Sequence, residues 1–148
     1  MTEFKRIEQM LRESEGRYRT ILERAPIGIE LATQYGKPIY VNKALQEILG
    51  YSKAELRNMH FKEYTHPDDR KDSLGLVHAL RKGKNDHLHI TRRYIRKDGS
   101  VFWGRTGVSA VRDAQRNIKY FVTMMEDITE ERHAQETVLR VEGPGPPS

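Results

Sequence analysis

The sequence predicts an α+β fold of two strands, a string of short helices, three further antiparallel strands and a charged helix that leads away from them. Three observations carry this. Aromatic and β-branched residues gather in two separate regions, 27–41 and 87–126, as pleated half-buried strands require. Between the two regions, apolar residues recur at helical spacing behind short polar residues suited to capping. Finally, the strand-like Tyr120-Phe121-Val122-Thr123 runs into Asp127-Ile128-Thr129-Glu130-Glu131. The oxygen-bearing side chains and glutamates of that last stretch suit a helix N-terminus. A strand that passes directly into an exposed helix connects a core to whatever lies beyond it.

A chain of 148 residues, 36% of them hydrophobic, allows one core and leaves a very polar remainder. No apolar run is long enough to span a membrane and no secretory segment follows Met1, so a cytoplasmic location is expected. The absence of cysteine excludes disulfides, thiolate metal sites and cofactors attached through a thiol. The net charge of +5 comes from bases interleaved with acids rather than from a basic block, which argues against nucleic acid as a partner.

In chain order, Phe4, Ile7, Met10, Leu11, Tyr18, Ile21 and Leu22 mark an amphipathic N-terminal helix over 1–22. Ser14 and Gly16 divide it, the glycine costing about 1 kcal/mol relative to alanine, and Pro26 ends it. Such a helix either folds back over the domain or forms a coiled-coil contact. Residues 27–32 and 38–41 form a hairpin. Asn42 caps a helix through Leu49 that stops at Gly50, and Ser52 with Glu55 forms a capping box for the next. Thr65 or His66 caps and Pro67 opens a longer helix to about Lys82, with Leu74, Val77, Leu80 and His78 on its inner face. Strands 87–96 and 101–111 meet at Lys97-Asp98-Gly99-Ser100, a strong hairpin sequence. A turn at 113–117 leads to strand 118–126. An exit helix over 129–142 and a flexible Gly/Pro tail over 143–148 complete the chain, and helices entering and leaving the 23–128 core suggest a piece of a larger protein.

Five segments together resemble a PAS domain of the sensory-box type with its C-terminal PAC segment. These are Ser14-Glu15-Gly16-Arg17-Tyr18-Arg19 with Ala25-Pro26-Ile27-Gly28-Ile29; Leu49-Gly50-Tyr51-Ser52 with Glu55-Leu56; His66-Pro67-Asp68-Asp69; Lys97-Asp98-Gly99-Ser100 with Trp103; and Asp127-Ile128-Thr129-Glu130-Glu131-Arg132. The resemblance covers about Ser14 to Arg132. It implies a five-stranded antiparallel sheet of order 2-1-5-4-3, with short helices on one face enclosing an apolar cavity.

Alignment with flavin-binding members turns Phe121, Thr123 and Met125 toward that cavity, with Phe102, Gly104, Thr106 and Val108, and Ile90, Arg92 and Tyr94. Ile29, Leu45, Leu49, Leu56, Leu74 and His78 complete the expected lining. Arg92 is a departure from the family's usual apolar residue. It would either grip an anionic ligand or bond internally to Glu30 or Glu126 or reach solvent. Trp103, Val122 and Met124 fall on the opposite face, where Val122 and Met124 with Phe4, Ile7 and Leu11 are the expected homodimer contacts. The resemblance also pairs Arg105 with Asp127 in a salt bridge; with Trp103 and Thr129 they form the expected transmission set.

A covalent flavin adduct is excluded by the lack of cysteine. Haem would need His78, since the family's axial position falls near Asp72, and is disfavoured. His87 and His89 lack further ligands at metal spacing, so no metal is expected. His133 lacks the surroundings of a phosphoacceptor, and no nucleotide loop, triad or cyclase motif is present. The expectation is a non-catalytic sensory and dimerisation module that relays binding of a small molecule or partner to an effector such as a histidine kinase or cyclase. The ligand's identity is open. The alternative is a ligand-free structural domain that serves dimerisation or docking alone.

Overall fold

Register, more than composition, decides which side chains share a face here. The computed structural model describes residues 18–83 and 85–142. Its strands are β1 Gly28–Thr33, β2 Pro38–Val41, β3 His87–Ile95, β4 Val101–Arg112 and β5 Ile118–Asp127, in one antiparallel sheet of order β2-β1-β5-β4-β3. The helices are α1 Tyr18–Arg24, α2 Lys43–Leu49, α3 Lys53–Leu56, α4 Arg70–Arg81 and α5 Thr129–Glu142, with 3-10 turns at Phe61–Glu63 and Pro67–Asp69. Phe4, Ile7 and Leu11, most of the expected N-terminal helix and the tail lie outside the described residues.

The caps read from the sequence form as expected. Ser52 and Glu55 make a reciprocal capping box, and Gly50 closes α2 in the left-handed region at φ 79°. His66, not Thr65, accepts from the Asp68 amide and starts the turn that leads into α4. Asn42 does more than cap. Its Oδ1 accepts from the amides of Leu45 at 3.0 Å and Ile29 at 2.8 Å, while its Nδ2 donates to the carbonyls of Leu22 at 2.8 Å and Ile27 at 3.0 Å. One fully buried amide thus ties α1, β1 and α2 together.

The short helices α2 and α3 pack under one end of the sheet. There Leu45, Leu49 and Leu56 join Val41, Tyr64, Tyr94, Phe102 and Met125 in one core cluster, and Ala32, Leu80, Ala110 and Phe121 form a second. Close approach depends on a small residue at Gly28, where a Cβ would stand 2.8 Å from Leu45 Cδ1. At Gly104 a Cβ would stand 2.6 Å from the Tyr94 ring, so the bare backbone of β4 is what lets that ring lie flat across it.

Candidate functional site

A cavity of about 280 Å³ lies between α4 with its preceding turns and the inner face of the sheet, lined from both core clusters. Of the residues expected there, Leu74, His78, Tyr94, Thr106, Val108, Phe121, Thr123 and Met125 line it, with Ile90. Leu74 stands 43% exposed on this wall. Phe102 is wholly buried beside it in the closed core.

Gly104, like Phe102, is not part of its lining, and five further expected residues sit elsewhere. Leu45, Leu49 and Leu56 are sealed in the first core cluster, because α2 and α3 pack directly on the sheet end. Ile29 faces the other way: β1 pairs Gly28 with Met125 and Ile29 with Met124, so the inner residues are Gly28, Glu30 and Ala32. Arg92 has the inner parity but lies on the sheet's edge strand. Its guanidinium leaves over that edge, 4.0 Å from Asp72 of α4, and donates to the Thr91 carbonyl. Its partners are neither Glu30 nor Glu126.

Sequence reasoning missed part of the polar lining. Glu30 from β1, Tyr64 from the first 3-10 turn and Ser73 from α4 all open on the cavity. The Tyr64 hydroxyl donates to Glu30 Oε2 at 3.4 Å, a long bond. Burial pushes the Glu30 carboxyl up to about 7, which the Tyr64 bond only partly offsets. Burial, reinforced by the Glu30 charge, holds the Tyr64 hydroxyl well above its ordinary range. Ser73 is buried, and its Oγ has no hydrogen-bond partner. By contrast Tyr94 and Thr106 satisfy each other at 2.6 Å. A charged residue two positions after Gly28, flanked by Ile29 and Leu31, was the available clue to Glu30.

The end of β5 leaves this site and becomes the exit. The expected pair of Arg105 and Asp127 does not form. β4 pairs Gly104 with Asp127 and Arg105 with Glu126, so Arg105 and Asp127 project from opposite faces. Asp127 instead binds Arg96 at 2.9 Å, and Arg96 also donates to the Ile48 carbonyl at 2.9 Å. Arg105, half exposed, stands 3.8 Å from Glu126 and 3.4 Å from Glu131. The Asp127 carboxylate accepts from the Thr129 amide, while Thr129 Oγ1 accepts from the Trp103 amide at 3.1 Å and the Ile128 amide donates to the Trp103 carbonyl. Arg132 lies over the Trp103 ring. On the outer face Met124 is 46% exposed and Val122 is partly buried.

The rings of His87 and His89 meet edge to face, and no group of three His, Cys, Asp or Glu that could hold a metal occurs among the described residues. No helix among them is long and apolar enough to cross a membrane.

Comparison with known proteins agrees with this geometry. A family model described as PAS fold matches residues 16–128. The probable diguanylate cyclase DgcE of Escherichia coli (strain K12) is 33% identical over 136 residues, which are 92% of this chain and 12% of that protein. The sensor histidine kinase TmoS of Ectopseudomonas mendocina is 26% identical over 132 residues, 89% of this chain and 14% of that protein. The chain therefore spans only a small part of the length of the curated relatives it matches. Among solved structures, the PAS domain of a Colwellia psychrerythraea protein superposes with a TM-score of 0.71 at 17% identity, covering 78% of this chain and 98% of that one. The PAS domain of an HTR-like protein from Haloarcula marismortui gives 0.64 at 23% identity, covering 84% and 99%.

Proposed function

The chain belongs to the PAS fold family, and on that premise we propose that it is a non-catalytic sensory module in which occupancy of the cavity is relayed through β5 to α5 and from there to an effector. The sensor kinase and the probable cyclase among its relatives support an effector of those kinds.

One observation carries the reading: a single strand serves both ends. Phe121, Thr123 and Met125 of β5 line the cavity, and the next inner residue, Asp127, is held by Arg96 and caps the turn into α5. A ligand that binds one arrangement of β5 better than another shifts the population of α5 orientations by its difference in affinity. Trp103 and Thr129 act with Asp127 in this relay, while Arg105 acts through Glu131 on the helix itself. Homodimerisation through the outer face, where Met124 and Val101 are exposed, is part of the same proposal.

The test joins the chain through α5 to a cyclase or histidine kinase output and fills the cavity by Thr123→Leu and Val108→Phe. Output is expected to lock at one level, with native mass spectrometry of the unsubstituted protein reporting a bound small molecule and a dimer. Output that ignores both substitutions, in a protein that carries no small molecule, favours a structural domain instead.

A further inference from the structure

Two polar residues of the cavity lining are short of partners, one half-buried and one buried. Glu30 has two carboxylate oxygens with about four acceptor sites. Among the described residues it receives one side-chain hydrogen bond, the long one from Tyr64, and pairs with no cation. Ser73 Oγ, on a residue 3% exposed, has no partner at all. Buried hydroxyls and carboxylates in native interiors are nearly always satisfied, so each such group calls for an explanation. Tyr64 and Tyr94 pack as tilted rings in the core beside these groups, and Phe121 and Val108 supply apolar wall.

The one arginine in the lining does not fill the gap. The Arg81 guanidinium donates to the Gln34 carbonyl at 2.8 Å and lies over the Phe121 ring. The volume, about 280 Å³, is just below the range of roughly 300–1,000 Å³ usual for drug-sized ligands. A small occupant is therefore required.

We infer that the cavity takes a small organic amine, an apolar or aromatic body bearing one protonated nitrogen, with the nitrogen bound by the Glu30 carboxylate. A protonated amine is donor-only, which matches a carboxylate, and its charge is further favoured by nearby aromatic faces. A carboxylate ligand would be repelled by the ionised Glu30 and leave it unpaired. The inference presupposes that the cavity is a ligand site.

The proton balance gives the test. The amine stays protonated between pH 6 and 8, whereas Glu30, with its carboxyl at about 7, must lose its proton to bind it. Affinity should therefore rise roughly tenfold from pH 6 to pH 8, with a fraction of a proton released per ligand at pH 7. The other titratable or charged groups on the cavity are His60, Tyr64, His78, Arg81 and Tyr94. Two of these are imidazoles, so His60→Gln and His78→Gln are the controls.

Isothermal titration calorimetry in buffers of different ionisation heat is run with benzylamine, 2-phenylethylamine and cyclohexylamine, and with 2-phenylethanol as the neutral counterpart. At least one amine is expected to bind more tightly than the alcohol at pH 8, with the pH dependence and proton release abolished by Glu30→Gln and retained in the histidine variants. Retention of the folded state by Glu30→Gln is checked by its thermal transition. Failure of all three amines to bind, or equal binding by the alcohol in the presence and absence of Glu30, overturns the amine inference. The sensory reading falls separately, only if cavity filling leaves output unchanged.

Discussion

The guanidinium carbon of Arg132 lies 3.9 Å from the centre of the Trp103 ring, so the first turn of the exit helix is stacked on the outer face of β4. Arg93 approaches the same ring at 5.8 Å and is itself bound to Asp69, at the start of α4, through both carboxylate oxygens at 3.0 and 3.1 Å. The helix that roofs the cavity and the helix that leaves the domain therefore meet, through two arginines, on one indole.

Trp103→Ala should free the first turn of α5 while leaving the strand pairing of β4 intact. Loss of a cation–π contact of about 0.5–2 kcal/mol corresponds to a roughly two- to thirtyfold rise in local opening. Hydrogen exchange of the amides at 130–136 measures it. Unchanged exchange there would mean that the backbone bonds of Trp103 to Ile128 and Thr129 alone hold the helix.

Asp127→Ala and Arg96→Ala should each uncouple output from the cavity in the effector fusion, and the double variant should be no worse than either alone. Arg105→Ala should change output much less, since its contacts with Glu126 and Glu131 are exposed. Burial raises the Asp127 carboxyl, but bonds from Thr129 and Arg96 outweigh it and hold the group below its ordinary range. The stabilisation it provides is thus present above the ordinary aspartate range and is lost as pH falls through the depressed value. A double-mutant cycle at pH 7 should give a coupling of about 1 kcal/mol, and additivity of the two single variants would disprove the pairing.

These results separate what alternation along one strand can reveal from what needs the neighbouring strand. The inner set of β5 and most of that of β3 and β4 were legible, because period-2 patterning places Phe121, Thr123 and Met125 on one face and the family resemblance says which face that is. The helix boundaries were legible for the same local reason, since Asn42, Ser52 and Gly50 act within three or four residues. In β1 the pattern misled. Both sheet faces bury apolar side chains, and the larger residues Ile29 and Leu31 lie on the outer one, leaving small Gly28 and Ala32 with Glu30 inside. The pairing of Asp127 with Arg96 spans 31 positions and depends on a register across β4 that no local pattern contains. Arg92 was placed on the right face, but strand parity does not tell where a long side chain ends once it sits on an edge.

Asn42→Ala is expected to destabilise the domain more than loss of an ordinary helix cap, by on the order of 3 kcal/mol, because it strands two buried amides and two carbonyls rather than one donor. Asn42→Asp keeps the acceptor but loses both donors and brings a charge into a fully buried position, so it should be no better. Urea denaturation measures both. A loss below about 1 kcal/mol for the alanine variant would place Asn42 among simple caps.

Glu30 makes stability itself depend on pH in the direction opposite to Asp127. Its folded carboxyl titrates at about 7, against 4.5 for the ordinary group. Between those values the folded state holds a proton that the unfolded state has released, so stability falls as pH rises through that window and levels off above it. Water that enters the cavity screens part of the effect, which leaves a decline on the order of 2 kcal/mol from pH 5 to pH 8. Glu30→Gln should flatten this decline and raise the thermal transition at pH 8 while changing it little at pH 5. A bound protonated amine should flatten it as well, by supplying the charge that the ionised carboxylate lacks. If the glutamine variant retains the full decline, the titrating group lies elsewhere on the cavity, and His60→Gln and His78→Gln would then be measured in the same way.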